Sequence, residues 1–158
     1  MHLYTSHVNW SRGSQPFIDN LYSRRHTISF DGGVVVPGSS SPFVVRVPMS
    51  DPSAVDPEES FVSSLSSCHM LWFLSIAAAR KFCVDSYSDR AEGVMAKNGR
   101  GKLAMSVVKL HPHVVFSGTR SPTQAEFLAM NHEAHEECFI ANSVLADVQC
   151  DPTMELAT

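Results

Sequence analysis

The sequence has few charged residues and no run of basic ones. Charged side chains make up 18% of the 158 residues, and the formal net charge is −4 at pH 7. Without a basic patch there is no electrostatic footprint for a nucleic acid, so we expect no nucleic-acid partner. Because 44% of the residues are hydrophobic, the light charge load leaves more apolar surface to cover, which favours an oligomer.

Repeats, low-complexity tracts and interdomain linkers are also absent from the sequence. At this length we expect a single domain over residues 1–158 with a substantial hydrophobic core. The first ten residues are too polar to resemble a secretory signal. Four cysteines without such a signal predict a cytoplasmic location and free or catalytic thiols rather than a disulfide framework.

One long apolar segment stands out against this background. Residues 61–79 carry no formal charge and would measure about 28 Å as a helix, enough to cross a membrane. They include five serines and a histidine, and charged residues lie at both ends, so we expect a buried helix and no membrane partner. The predicted helix covers residues 55–81, with Asp56 as its cap, Pro57 in the first turn and Glu58 near the positive end of the dipole.

Turn residues and short apolar runs predict strands before and after this helix. The turn at Asp31-Gly32-Gly33 predicts a hairpin of residues 27–30 and 34–36, and residues 43–47 suggest a third strand. A second hairpin is predicted for residues 91–96 and 103–110, followed by strands at 114–116 and 144–149. Ser121-Pro122-Thr123-Gln124 suggests a capping box and a second helix that extends to about residue 142. The sum is an α+β fold, with antiparallel sheets and two long central helices.

Two cysteines, Cys68 and Cys138, lie in these two helices, each with a histidine within three residues. An apolar helix keeps a thiol protonated and inert, so a reactive Cys68 would need a cation from elsewhere. The candidates are His69, Arg24 and Arg25. A structural core cysteine is the alternative.

Glu58 lies ten residues before Cys68, which places the two side chains about 80° and about 15 Å apart on the helix. It cannot touch Cys68 through the helix, but it could orient an arginine that does; otherwise it only complements the helix dipole.

The spacing of His132, His135 and Cys138 spans about 9 Å, too far for all three to share a metal, so we expect no metal site. Cys83 and Cys150 are interpreted as packing or incidental exposure.

Several segments together resemble the OsmC/Ohr family of osmotically inducible and organic hydroperoxide resistance proteins. They are Tyr22-Ser-Arg24-Arg-His26, Phe30-Asp-Gly-Gly33, Asp56-Pro-Glu-Glu59, Ser67-Cys68-His69-Met70, and Ala134-His135 with Cys138. The specific feature is Pro-Glu ten residues before a helical cysteine, with a second cysteine about seventy residues later. The resemblance covers nearly the whole chain. It is closest to the OsmC-like branch, because Phe139 and His69 differ from the residues that often follow the two cysteines.

The resemblance implies a swapped homodimer with its active sites at the subunit interface. It also implies a cysteine-based peroxidase for organic hydroperoxides, in which Cys68 attacks the peroxide and Cys138 resolves the sulfenic acid as a disulfide. Arg24 would activate the thiolate, with Arg25 as the alternative, and Glu58 would orient the arginine. A dithiol, for example on a lipoylated protein, would be the reductant, and no cofactor would take part. The alternative is an OsmC-like dimer that binds a ligand or senses redox state without efficient turnover.

Overall fold

Nine β-strands, two α-helices and one 3₁₀ turn are formed by residues 2–157, which are the residues that the computed structural model describes. In chain order they are β1 (Ser6–Asn9), β2 (His26–Phe30), β3 (Val35–Gly38), α1 (Pro57–Ala79), β4 (Cys83–Asp89), β5 (Glu92–Lys97), β6 (Leu103–Leu110), β7 (Pro112–Ser117), α2 (Gln124–Glu137), the 3₁₀ turn (Ala141–Ser143), β8 (Asp147–Cys150) and β9 (Thr153–Leu156). The chain divides into two units, the first ending at Ser60 and the second beginning at Phe61.

The first unit contains an antiparallel sheet in the order β1-β2-β3. The predicted hairpin at Asp31-Gly32-Gly33 is confirmed as β2 and β3. Gly33 adopts a φ of 84° there, a backbone conformation that glycine reaches without strain. β1 was not predicted, since it is only four residues long and fully exposed.

The strand predicted for residues 43–47 is wrong, because this segment forms turns. The backbone N–H groups of Val44 and Val45 both donate to Ser41 O, at 3.0 and 2.9 Å, which curls the chain. Pro42 and Pro48 have no backbone N–H to donate, which limits strand pairing on either side. The apolar run therefore faces solvent, and Phe43 is fully exposed.

α1 begins where the sequence predicted. Glu59 N donates to Asp56 Oδ1 at 2.8 Å, and Asp56 N donates to Glu59 Oε2 at 3.1 Å, so Asp56 and Glu59 form a reciprocal capping pair. By length and composition α1 could cross a membrane, but core helices of soluble proteins meet the same criterion.

The second unit contains two mixed sheets, in the orders β4-β7-β9 and β5-β6-β8. The central strands pair antiparallel with β4 and β5, but β8 and β9 pair parallel with β6 and β7. The α+β prediction is confirmed, whereas the expectation of purely antiparallel sheets is wrong. The C-terminal strands return in the parallel sense because the α2 crossover separates them from β6 and β7.

α2 begins two residues later than predicted. Thr123, not Ser121, is the cap: Glu126 N donates to Thr123 Oγ1 at 3.2 Å, and Thr123 N donates to Glu126 Oε2 at 2.8 Å. The helix ends at Glu137 rather than near residue 142, because Cys138 adopts an extended ψ of 110° and the chain continues into the 3₁₀ turn.

Two apolar clusters hold the second unit together. The larger one joins α1, α2 and the β4-β7-β9 sheet, and its fully buried rings are Phe73, Phe116 and Phe127. The smaller one packs Leu65 of α1 against Val108 and Leu110 of β6. β5 approaches α1 closely at Gly93, where an added Cβ would lie 2.6 Å from a Val62 methyl carbon. Both sheets therefore pack on α1 and fix the helix that carries Cys68.

Candidate active site

Cys68 lies half-buried in the middle of α1, on the wall of a cavity of about 480 Å³. The lining comes from α1 and the segment after α2: Ser64, Ser67, Cys68, Leu71, Trp72, Ser75, Phe139 and Ile140. Two of these hydroxyls bond back to the helix, since Ser64 Oγ donates to Phe61 O at 2.7 Å and Ser67 Oγ to Ser64 O at 3.3 Å. With those hydroxyls engaged, the cavity offers the thiol a mainly apolar setting.

Cys138 is the residue that follows α2, and only 1% of it is exposed. Burial is the first cause that raises the pKa of its thiol to about 11, and a side-chain hydrogen bond with Cys68 is the second. Ala141 N donates to Cys138 Sγ at 3.4 Å and acts in the opposite direction. The structure thus brings Cys68 and Cys138 together as free thiols, and Cys138 keeps its proton at neutral pH.

An aromatic pair forms one wall of the same cavity. The rings of Trp72 and Phe139 meet edge to face, with centroids 5.5 Å apart and an interplanar angle of 83°. Trp72 lies one helical turn after Cys68, and Phe139 directly follows Cys138. Phe139, which differs from the residue that often follows the second cysteine in this family, is therefore part of the cavity wall.

The two arginines have different partners in the first unit. Arg24 donates from Nη1 to Asn20 O at 3.0 Å and to Tyr22 O, and from Nη2 to Asn20 Oδ1 at 2.6 Å. Its guanidinium carbon lies 3.9 Å from the centre of the Tyr22 ring. Arg25 instead forms an ion pair with Asp51. Within residues 2–157, Arg24 is thus held by uncharged groups and forms no ion pair with a carboxylate, whereas Arg25 does.

Glu58 also lies in the first unit, and its Oε2 is buried with no hydrogen-bond partner among residues 2–157. Its neighbour Glu59 is engaged in the helix cap, so the two carboxylates have separate roles. A buried carboxylate oxygen without a donor is costly, and such atoms commonly belong to functional sites. Of Glu58 and Glu59, Glu58 is therefore the one whose buried Oε2 can still accept a hydrogen bond from a cationic donor.

His69 was one of the candidates for the cation that would activate Cys68, but its burial argues against this role. The side chain is 1% exposed, and burial is the main cause that lowers its pKa, so the ring is neutral at pH 7. Its Nε2 lies 3.2 Å from Oδ1 of Asn131 on α2. Cys150 Sγ lies 3.7 Å from the same nitrogen. This cluster was missed because nothing in the sequence places Cys150, 81 residues away, beside α1.

His132 and His135 line a second cavity, of about 260 Å³, which also includes Asn131 and Cys150. Within residues 2–157 no group of three or more histidine, cysteine or acidic side chains is arranged to hold a metal ion. Burial raises the pKa of Cys150 to about 12, with Asp89 and Asp151 as further causes, so this thiol is protonated and a weak nucleophile.

Comparison with known proteins places these features in a family. Residues 50–153 match the family model described as OsmC-like protein. The chain is 52% identical to an OsmC-like protein of unknown function from Vibrio cholerae, a match that covers 96% of this chain and 99% of that one with a TM-score of 0.95. The chain therefore belongs to the OsmC-like family, as its sequence motifs predicted.

More distant structures share the fold alone. An organic hydroperoxide resistance protein from Elizabethkingia anophelis is 12% identical, with a TM-score of 0.68 over 99% of this chain and 98% of that one. The organic hydroperoxide resistance protein OhrB of Bacillus subtilis is 13% identical, with a TM-score of 0.63 over 98% of each chain. A search of the curated proteins gave no match.

Proposed function

We propose that this protein is a thiol-dependent peroxidase that reduces organic hydroperoxides, with Cys68 as the attacking thiol and Cys138 as the resolving thiol. The observation that carries the proposal is the interaction of these two free thiols beside an apolar cavity. The family and the fold support it, because structures of this fold include organic hydroperoxide resistance proteins.

The proposed reaction needs only the two thiols and an external dithiol. The Cys68 thiolate attacks one peroxide oxygen, the O–O bond breaks, and the alkoxide leaves and takes a proton to become an alcohol. Cys68 is then a sulfenic acid. The Cys138 sulfur attacks the Cys68 sulfur, water leaves, and a disulfide forms. One hydroperoxide and two thiols thus give one alcohol, one water and one disulfide, without a metal, haem or flavin.

The roles of Arg24 and Glu58 follow from the same chemistry. The thiolate and the departing alkoxide both need a positive charge nearby. Of Arg24 and Arg25, Arg24 is the one without a carboxylate partner among residues 2–157. The unpartnered Glu58 oxygen would hold that guanidinium in place once Arg24 reaches it. In the proposed homodimer the arginine and the thiol can meet at the subunit interface.

We expect Arg24→Ala to slow the oxidation of Cys68 by peroxide by about tenfold or more, because an ionic donor to the reacting atoms is lost. Arg25→Ala is the matched control, since Arg25 is already paired with Asp51. The measurement is the rate of sulfenic acid formation at Cys68 in a single turnover. If only Arg25→Ala slows the reaction, the assignment of the two arginines is reversed.

The cavity favours an organic hydroperoxide as substrate, and we propose a dithiol as the reductant. Its Leu71, Trp72 and Ile140 walls offer apolar contact to the carbon chain of an organic hydroperoxide but none that hydrogen peroxide can use. A dithiol such as a lipoyl group can open the disulfide with one thiol and release itself with the other. Such reductants belong to the cytoplasm, where we place this protein.

The test is the consumption of cumene hydroperoxide with dihydrolipoamide as the reductant. Wild type should turn over repeatedly, and Cys68→Ser should lose turnover because the nucleophile is gone. Cys83→Ser is the matched control: Cys83 is exposed and outside the cavity, so it should retain wild-type turnover.

Each other outcome selects against the proposal. Full turnover in Cys68→Ser would rule out the assigned nucleophile. A single oxidation without further turnover would favour the redox-sensing alternative. Binding of an apolar ligand without any peroxide consumption would favour the ligand-binding alternative.

A further inference from the structure

A buried polar contact joins α1, which carries Cys68, to α2, which ends one residue before Cys138. His69 and Asn131 are 1% and 3% exposed, and His69 Nε2 lies 3.2 Å from Asn131 Oδ1. Asn131 Nδ2 donates to Phe127 O at 2.9 Å, which fixes Oδ1 as the acceptor and therefore Nε2 of His69 as the donor. The buried Nδ1 of His69 then carries a lone pair and has no partner among residues 2–157.

The His69–Asn131 contact and the Cys68–Cys138 pair both link α1 to the segment formed by α2 and the residue after it. His69 is adjacent to Cys68 on α1. Asn131 precedes Cys138 by seven residues, which corresponds to about 10.5 Å along α2 and a rotation of about 20° from the same face. The φ of Cys138 is −66°, so its side chain still follows the helical direction. A shift of α2 against α1 would therefore move both contacts together.

The Arg80–Glu133 ion pair also links the end of α1 to α2, but it is exposed to solvent and therefore weak. The buried contacts of the larger cluster are apolar and have little directional preference. In the larger cluster, Phe73, Ile76 and Ala77 of α1 pack with Phe127, Met130 and Ala134 of α2. Apolar surfaces of this kind tolerate small shifts and repacking. A hydrogen bond between two buried groups does not, because a displaced partner leaves a polar atom unsatisfied.

We propose that the His69–Asn131 hydrogen bond is a positioning device that sets the register in which Cys68 and Cys138 can form a disulfide. Disulfide geometry is narrow, so a small displacement of one sulfur lowers the effective concentration of one thiol at the other. His69 and Asn131 act through the two cysteines and do not touch the substrate. The proposal rests on the proposed function only in its choice of the thiol pair, because formation of that disulfide can be measured without peroxide.

The test is an equilibrium titration of the reduced full-length protein in glutathione buffers, with the Cys68–Cys138 disulfide quantified by peptide mass mapping. His69→Phe keeps a ring of similar size but removes the donor to Asn131. We expect it to lower the equilibrium constant for disulfide formation by about tenfold or more, equivalent to about 30 mV. His69→Gln restores an N–H donor and should stay within about twofold of wild type.

Cys150→Ala is the matched control, because it removes the sulfur beside His69 Nε2 while leaving the His69–Asn131 bond in place. It should keep the wild-type equilibrium constant. Peroxide added to His69→Phe should leave more Cys68 sulfenic acid trappable by dimedone, at an unchanged rate of peroxide attack. Should His69→Phe not fold, Asn131→Leu with His69→Phe replaces the pair by an apolar one and tests the same loss.

The proposal is overturned if His69→Phe, or the double variant, forms the disulfide with the wild-type equilibrium constant, or if His69→Gln does not restore it. A wild-type protein that consumes no peroxide but forms the disulfide in glutathione would reject the proposed function and leave the positioning role to be judged by the titration alone.

Discussion

At the scale of single residues, the thiols of this protein differ in how deeply they are buried and therefore in their reactivity. Cys83 is exposed, whereas Cys138 is almost fully enclosed and its pKa is raised to about 11. A resolving thiol that keeps its proton does not compete for peroxide, because the thiolate is the nucleophile. Burial thus protects Cys138 from direct reaction with peroxide. In the proposed resolving step the Cys138 proton leaves with the sulfenic acid oxygen as water when the Cys138 sulfur attacks Cys68.

We predict that alkylation of Cys138 by iodoacetamide rises with pH to a midpoint near 11. In Cys68→Ala the midpoint should fall, because the hydrogen bond with Cys68 is lost, but it should stay above about 8.5 since burial is the larger cause. Mass mapping follows each cysteine separately, with the exposed Cys83 as the control for the reagent. A Cys138 midpoint near that of a free thiol would contradict this assignment.

His69 makes stability depend on pH. Its pKa in the folded protein is lowered from the ordinary 6.5, first by burial, so the unfolded chain binds the proton more readily. The contribution of neutral His69 to the free energy of unfolding is intact above about pH 6.5. It is lost as the pH falls below that value, by at most about 1.4 kcal/mol per pH unit.

We therefore predict that wild type loses more stability than His69→Gln between pH 7.5 and 5.5, as measured by urea unfolding at each pH. The carboxylates titrate mainly at lower pH and are shared by both proteins, so the difference isolates His69. Parallel pH profiles for the two proteins would show that His69 does not titrate as its burial implies.

Sequence reasoning named candidate site residues but could not give their arrangement. The helix position of Cys68 and the Pro-Glu motif were readable from local patterns, whereas the meeting of Cys68 with Cys138 came from the family resemblance. His69 stayed a candidate for the cation because its burial is a property of the fold and cannot be read from local sequence. For the same reason no local pattern connected His69 with Asn131 and Cys150.

At the scale of elements, helices were easier to predict than strands. α1 carries its own cap and a long apolar run, both local signals. β1 and β9 are only four residues long, and β4 alternates mainly exposed and half-buried positions, so none has a strong apolar pattern. They form because neighbouring strands pair with them, and pairing is a nonlocal property.

α2 is held in place chiefly by one ring. Phe127 is fully buried and meets Phe73 and Phe116 edge to face, with centroids 5.9 and 6.0 Å away. We predict that Phe127→Ala lowers the free energy of unfolding by about 3–5 kcal/mol, because it removes the ring and leaves a cavity. Urea unfolding measures the change.

Leu128 is the matched control for this prediction, since it is the next residue on α2 but is 46% exposed. Leu128→Ala should cost much less than Phe127→Ala. Equal losses for the two variants would show that the ring cluster is not what fixes α2.

At the scale of the whole molecule, the chain leaves many apolar side chains uncovered. In the second unit Leu71 is 63% and Phe139 is 68% exposed. In the first unit Ile18 and Phe43 are fully exposed. Leu71 and Phe139 line the same cavity, and an exposed apolar patch of this kind is typical of interfaces between chains.

We predict that the protein is an obligate homodimer. Each large apolar side chain left in water forgoes about 1.5–3 kcal/mol, so a few of them together match the net stability of a domain, about 5–15 kcal/mol. A symmetric second copy can cover these side chains and can also bring Arg24 and Glu58 to the thiols. Sedimentation equilibrium at micromolar concentration should give a species of twice the 17.3 kDa chain mass. A folded monomer that reduces peroxide at that concentration would contradict both the apolar-surface argument and the interface location of the site.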